Sequence, residues 1–246
     1  MEPVTNEGYA LEPVDDLDPG RVSEIRRIYE DGFAPHLRAD FASLTTGRED
    51  DESALALMQG GEPRGFVMVR PLGGTGWMFL RYLVVDQQVR GQGLGGIMWD
   101  QLMAWLRDAG YPLLVWDVED PDEPGCDPAE VQVRNRRIRF YERHGGHLLP
   151  VRGYGNPHDD DNVSRDSVSR DAGSDGTVSD GPQHWTPMRL MAASTGDAGL
   201  PGTPAIVAAV YRYRWRLDPD DPQIAATEIT ANEVAAAGPD HDQKGA

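Results

Sequence analysis

A single cysteine, Cys126, occurs in the 246 residues, so no intramolecular disulfide can form and no cysteine-based zinc site exists. It lies in Pro124-Gly125-Cys126-Asp127, where acidic neighbours disfavour a thiolate, and it reads as incidental. No apolar run approaches the roughly 20 residues that a membrane span requires. The first residues include Glu2, Pro3, Asp15 and Asp16 where a signal peptide would need an apolar core, so a cytoplasmic protein with no membrane partner is expected. Positive charge is also short: 23 Lys and Arg stand against 41 Asp and Glu, a net charge of −18. Such a surface repels polyanions, which argues against nucleic acid and for a cationic or amine-bearing partner. Solvated loops and tail account for much of that excess.

What is present is enough for a core: 39% of the residues are hydrophobic in a chain long enough for one large domain or two small ones. A first helix is predicted after Asp18-Pro19-Gly20, because Asp18 can cap free N–H groups, Pro19 suits a first turn, and Val22, Ile25, Ile28 and Tyr29 share a face. A weaker helix is expected from Pro35 to about Thr45, with Leu37, Phe41 and Leu44 inward. Ala54 to Gln59, Phe66 to Arg70 and Trp77 to Val85 read as strands separated by glycine-containing turns, which makes an antiparallel meander the simplest arrangement. Leu94, Met98, Leu102, Trp105, Leu106 and Ala109 mark an amphipathic helix ending at Gly110, and Leu113 to Val118 is a strand covered on both faces. Strand, helix and strand at this spacing imply a right-handed crossover with the two strands parallel or nearly so. A helix from about Ala129 to His144 and a strand from His147 to Val151 follow.

The remainder is less regular. Residues 156–183 are rich in aspartate, serine and glycine and cannot bury enough surface to offset the entropy of ordering, so a mobile acidic insertion is expected there. Trp185 to Met191 resumes strand character, Ala205 to Trp215 suggests a terminal helix, and the alanine-rich end is expected to fray. The organisation expected is thus an extension over 1–17, a core over 18–155, the insertion, a final strand and helix over 184–216, and a mobile tail over 217–246.

One stretch organises the rest. After the apolar strand comes a polar connector, Asp86-Gln87-Gln88-Val89, and then Arg90-Gly91-Gln92-Gly93-Leu94-Gly95-Gly96 opening a helix. Backbone N–H groups of a glycine-rich turn, with those of the helix's first turn, make a site for a pyrophosphate. Gly91, Gly93 and Gly96 formally satisfy a dinucleotide-binding pattern with Asp117 downstream. In such folds, however, the glycines follow the strand almost at once and further parallel units are needed, whereas here a connector intervenes and a meander precedes.

The stretch Tyr82-Leu83-Val84-Val85-Asp86-Gln87-Gln88-Val89-Arg90-Gly91-Gln92-Gly93-Leu94-Gly95 resembles the strand, connector and Arg-x-x-Gly-x-Gly loop of the GCN5-related N-acetyltransferases (GNAT). Phe140-Tyr141-Glu142-Arg143-His144-Gly145-Gly146 is similar to a later motif of the same family. The resemblance implies an α/β (α+β) fold: a mixed, mostly antiparallel sheet of about six to seven strands flanked by helices, with one crossover unit at the cofactor site. It implies acetyl-CoA as acyl-donor substrate, with no metal. Amides from Arg90 through Gly91, Gln92, Gly93, Leu94 and Gly95 to Gly96 would hold the pyrophosphate, and pantetheine would pair with main-chain groups along Leu83, Val84 and Val85. The side chains of that strand read equally as ordinary core.

Tyr141 is the expected general acid, a phenol able to protonate the departing thiolate, and its alternative is a core aromatic one turn after Ile138. Asp117 and Glu119 share a strand face and are the candidates for the base that deprotonates an ammonium; a solvated acidic loop is the alternative for each. Two positions depart from the family pattern. Arg134 stands where many members carry asparagine, with Asn135 one residue late, and Gly146 stands where an aromatic usually follows the last glycine. The expected activity is N-acetylation of a small amine, with Glu119-Asp120-Pro121-Asp122-Glu123 favouring a cationic one. A protein amine, another acyl group and a homodimer stay open, and the competing class is a module that keeps the fold and the cofactor without turnover.

Overall fold

The computed structural model describes residues 8–35, 38–46, 52–157 and 185–230. In chain order the elements are β1 (Tyr9–Pro13), α1 (Pro19–Gly32), α2 (Phe41–Thr45), β2 (Ser53–Gln59), β3 (Glu62–Pro71), β4 (Met78–Val85), α3 (Leu94–Asp108), β5 (Leu113–Glu119), α4 (Pro128–Arg143), β6 (His147–Leu148), β7 (Val151–Arg152), β8 (Gly155–Pro157), β9 (Trp185–Ser194), α5 (Thr203–Ala209), α6 (Pro222–Ala226) and β10 (Glu228–Ile229). Eight strands form one mixed sheet in the order β1-β2-β3-β4-β5-β9-β6, with β8 also on β9, and β7 pairs separately with β10. β4 and β5 are parallel, joined by the crossover through α3; the other pairs are antiparallel.

Helix α1 forms as its sequence directs. The Asp18 carboxylate accepts from Gly20 N (2.9 Å) and Arg21 N (3.1 Å), and Ile25, Ile28 and Tyr29 are buried. Helix α2 is shorter than the expected Pro35 to Thr45. Asp40 accepts from Ala42 N and starts it at Phe41, while Leu37 lies outside the described residues. Tyr29 clamps the two helices to the sheet. Its hydroxyl donates to Ala39 O, and its ring meets Phe41, Phe66 and Tyr82.

Several elements differ from the expectation. Tyr9–Pro13, assigned to an extension, pairs with β2 in full register and lengthens the sheet. The strand expected over His147 to Val151 is two short ones in different sheets, because the chain turns at Leu149-Pro150. Helix α5 runs on from Ala209 as a π-helical turn over Val210–Arg214. Part of the expected tail is structured: β10 pairs with β7 through Glu228 and Ile229. The insertion expected over 156–183 lies, beyond Pro157, outside the described residues. No helix among the described residues is long and apolar enough to cross a membrane.

Each face of the sheet has its own core. Leu55, Leu57, Val67, Val69, Leu114 and Trp116 pack against α3 and α4. On the opposite face, Ala54, Phe66 and Met68 pack against α1 and α2, and Leu113, Val115 and Leu190 against α5. The register of β4 against β3 runs Leu83 to Val67 and Tyr82 to Met68, then Leu80 to Val69, which leaves Arg81 as an extra residue. This bulge reverses the alternation of β4. Before it Met78 and Leu80 join the α3 core; after it Leu83 and Val85 do so, while Tyr82 and Val84 turn toward α1.

Candidate active site

The site begins where the parallel pair ends. β4 and β5 are in register at Met78 with Leu114 and Phe79 with Val115, and beyond the bulge they part. Asp86 N–H points to β3, where Arg64 O accepts it at 2.9 Å. In an antiparallel ladder a residue's N–H and C=O face the same neighbour, so the backbone groups of Leu83 and Val85 turn instead toward the gap. Val84 differs from them: its main chain faces β3, and its side chain packs so closely on α1 that a Cβ at Gly32 would lie 2.2 Å from Val84 Cγ2.

The gap opens into a cavity of about 480 Å³, lined by β4, by Trp116 to Glu119 of β5, and by Arg137 and Tyr141 of α4. Tyr141 is 7% exposed and is fixed by rings on two sides, with centroids 5.1 Å from Trp99 and 4.9 Å from Trp116. It is therefore a core aromatic and part of the cavity wall at once. Burial pushes its hydroxyl up to about 12, with Arg137 opposing that shift and Asp117 adding to it. The phenol thus keeps its proton throughout the neutral range.

Asp117 and Glu119 line the same cavity. Asp117 accepts from Tyr154 Oη at 3.0 Å, and Tyr154 in turn accepts from Trp215 Nε1 at 3.0 Å. Burial, then the nearby Asp117, raises the Tyr154 hydroxyl well above its ordinary value, so it acts as a neutral donor. Glu119 forms an ion pair with Arg137, one turn before Tyr141 on α4. The rest of the acidic loop is also stapled: Asp120 and Asp122 pair with Arg189 (2.8 and 2.6 Å), and Glu123 with Arg134 (2.5 Å). Arg134 also donates to Asp120 O at 2.7 Å, and Asn135 folds back onto Val131 O. Arginine at the departing motif position therefore anchors this loop.

The glycine loop lies at the start of α3 beside a second cavity of about 530 Å³. Gly91 (φ 80°) and Gly93 (φ 83°) are left-handed, where a side chain would be strained. Among the described residues, the amides of Gly91, Gln92, Gly93, Leu94 and Gly95 donate to no acceptor. They form a nest of N–H groups at a helix start, the chemistry that binds a pyrophosphate. Gly96 departs from the expectation. Its amide already donates to Gly93 O at 3.0 Å, and a Cβ there would lie 2.8 Å from His144, so it serves the close approach of α3 to α4. Arg90 bridges the two cavities, with Nε 3.4 Å from Val85 O.

Asp86 steadies the connector. Its carboxylate accepts from Gln88 N (3.0 Å) and Arg27 Nη2 (2.7 Å). Burial opposes its ionisation, but those two partners outweigh burial and hold the carboxyl below its ordinary range. Gly146, the other motif departure, follows from packing. A Cβ there would lie 2.9 Å from Trp116 Cζ2 and from Tyr141 O, so no aromatic fits.

The structure thus brings together Leu83, Val85, Arg90, Asp117, Glu119 and Tyr141, and it sets Val84 and Gly96 to packing roles. Sequence reasoning missed Arg137, Tyr154 and Trp215. Arg137 was findable from its position one helical turn before Tyr141; no motif marks Tyr154 or Trp215.

The sequence matches the model of the acetyltransferase (GNAT) family over residues 22–145. No curated protein matches it. Among solved structures, a protein from Bacteroides thetaiotaomicron assigned to that family is similar with a TM-score of 0.59 at 18% identity, over 85% of this chain and 99% of the other. An aminoglycoside 6'-N-acetyltransferase from Enterococcus faecium gives 0.50 at 16% identity, over 78% and 99%. An aminoglycoside 6'-N-acetyltransferase complexed with coenzyme A gives 0.50 at 18% identity, over the same shares of 78% and 99%. At these identities the likeness is one of fold.

Proposed function

This chain belongs to the acetyltransferase (GNAT) family, and from that membership we propose that it is a cytosolic enzyme moving an acetyl group from acetyl-CoA to the primary amine of a small molecule by direct attack. The observation that carries this reading is a cavity lined by a protonated phenol and two carboxylates, joined at Arg90 to a second cavity beside the nest of unused amides.

The residues present fit acetyl-CoA as acyl-donor substrate. Amides of Gly91 to Gly95 would hold its pyrophosphate, and the main-chain groups of Leu83 and Val85 would pair with its pantetheine arm as an added strand does. A backbone N–H of β4 facing the gap would stabilise negative charge on the carbonyl oxygen during attack.

The amine reaches the site as ammonium and must lose a proton before its nitrogen can bond to the acetyl carbon. Asp117, directly or through water, is our choice of acceptor for that proton. Glu119 would first have to part from Arg137. As the carbon–sulfur bond breaks, Tyr141 supplies a proton to the sulfur. The nitrogen gives up a second proton as the tetrahedral adduct collapses; that proton makes good the one Tyr141 passed to sulfur, while the first leaves Asp117 for solvent, so amide, thiol and one net proton result. The positive charge expected of the acceptor is assigned here to the reacting nitrogen, because the acidic loop is engaged by its own arginines.

The test is thiol release from acetyl-CoA across a panel of amines, beside calorimetric titration of the folded protein with acetyl-CoA. Binding and turnover are expected. Binding with no turnover on any amine would favour the non-catalytic module, and no heat at millimolar acetyl-CoA would end both readings.

A further inference from the structure

We infer that the acceptor carries a carboxylate as well as its amine, so that the substrate class is an amino acid or a compound built like one. This rests on the acetyltransferase reading and narrows its substrate.

The cavity is walled in part by basic side chains, none of which borders the second cavity beside the glycine loop: Arg38, which follows α1, Arg81 in the bulge, and Arg214 at the end of the π-helical turn. In a chain of net charge −18 this is a local reversal of sign. The reversal is sharpened by what happens to the nearby acids. Asp117 is engaged by Tyr154, Glu119 by Arg137, and the carboxylates of the mouth loop by Arg189 and Arg134.

Arg38 is the centre of the argument. Its Nη1 donates to the carbonyls of Glu30 and Phe33 at the end of α1, so neutral acceptors orient the guanidinium. It therefore brings its charge to the cavity wall with no carboxylate on it among the described residues. In the wall of the same cavity, the Arg214 guanidinium sits over the Trp215 ring, its central carbon 3.9 Å from the ring centroid, in a residue only 8% exposed. Arg81 is paired with Glu52 at 3.1 Å and contributes wall rather than a grip.

A planar guanidinium fork matches a carboxylate in two parallel hydrogen bonds, which an ammonium or a sugar hydroxyl cannot use as well. Arg38, held at the cavity wall by neutral carbonyls, is the guanidinium that an incoming anion would complement. Phe33 and Trp215 line the same cavity and suit an apolar body between the two polar groups of the substrate. The amine would then face Asp117 and the carboxylate Arg38, which fixes the direction of the acceptor in the cleft.

The experiment uses the full chain and acetyl-CoA with matched pairs of amines: phenylalanine against phenethylamine and lysine against cadaverine, then a dipeptide, spermidine and kanamycin. The carboxylated member of each pair is expected to have a kcat/KM about tenfold to a hundredfold higher, mostly through KM. A preference for the free amino acid over the dipeptide would assign the carboxylate to the α position; the reverse would assign it to a peptide C-terminus. In Arg38→Gln the ratio within each pair is expected to fall toward one, and Arg38→Lys to restore part of it. Turnover of the amines lacking a carboxylate with equal or greater efficiency overturns the inference while leaving the transferase reading intact. If no amine turns over, calorimetry of phenylalanine and phenethylamine against the coenzyme A complex decides, and equal or absent binding of the two overturns it.

Discussion

At the scale of single residues, the proposal places the chemistry on Tyr141 and Asp117, and each makes a distinct prediction. Tyr141→Phe keeps the ring between Trp99 and Trp116 and removes only the hydroxyl. Its kcat is expected to fall about a hundredfold or more, with the melting temperature nearly unchanged. An unaltered kcat across pH in folded protein would remove Tyr141 from the mechanism. Asp117→Asn keeps shape and an acceptor for Tyr154 but cannot take a proton at neutral pH. A loss of about a hundredfold in kcat/KM is expected there, with acetyl-CoA affinity by calorimetry intact, because the proposed role of Asp117 is toward the amine and not the acyl donor.

At the scale of elements, the loop and the last helix carry the predictions. Gly93 is left-handed at the start of α3, and an L-residue in that conformation costs about 1–2 kcal/mol. Gly93→Ala is expected either to lower stability by that amount or to shift the loop and weaken acetyl-CoA about tenfold. Melting curves and calorimetry separate these outcomes. At Gly146 the contact is steric: Ala there should destabilise the protein by about 1–3 kcal/mol in denaturant titration, since its Cβ meets both Trp116 and the Tyr141 carbonyl.

These elements also show what a sequence can carry. The geometry of the proposed cofactor half was legible because it is local: a strand, a capped connector, glycines and a helix start lie within one continuous stretch, and Asp86 and Gly93 act on their immediate neighbours. The aromatic wall at Tyr141 was legible through its motif. The bulge at Arg81 was not, since one extra residue in an apolar run leaves no compositional trace and shows only against the register of β3. Nor were the arginines that engage the acidic loop, because Arg189 and Asp120 are brought together by strand pairing across 69 residues. β1 was missed because Tyr9–Pro13 is short and only partly buried at a sheet edge.

For the whole molecule, the two buried phenols predict how stability depends on pH. Tyr141 in the fold is pushed up to about 12, and Tyr154 is also raised well above its ordinary value, both chiefly by burial. The unfolded phenol loses its proton near pH 10. The stability gained from the folded environment is therefore fully present below about pH 10 and lost as pH rises through the folded values, where the unfolded state binds fewer protons. For Tyr141 the loss amounts to about 2–3 kcal/mol between roughly pH 10 and 12. Denaturant titrations over that interval should show stability falling steadily in the native sequence and falling less in Tyr141→Phe. A flat profile would mean that the ring is not sealed from water.

The hydrogen-bonded series from Trp215 through Tyr154 to Asp117 crosses a boundary in the chain. Asp117 lies within the stretch matched by the family model, and both of its supports lie after that stretch ends at residue 145. The wall around the proposed acceptor site is thus shared between two lengths of polypeptide, with Arg38 and Asp117 in the matched stretch and Tyr154, Arg214 and Trp215 after it. A chimera exchanging only residues after 145 should therefore keep the carboxylate preference assigned to Arg38 while changing how firmly Asp117 is held, which matched amine pairs and the pH profile of kcat/KM would read separately.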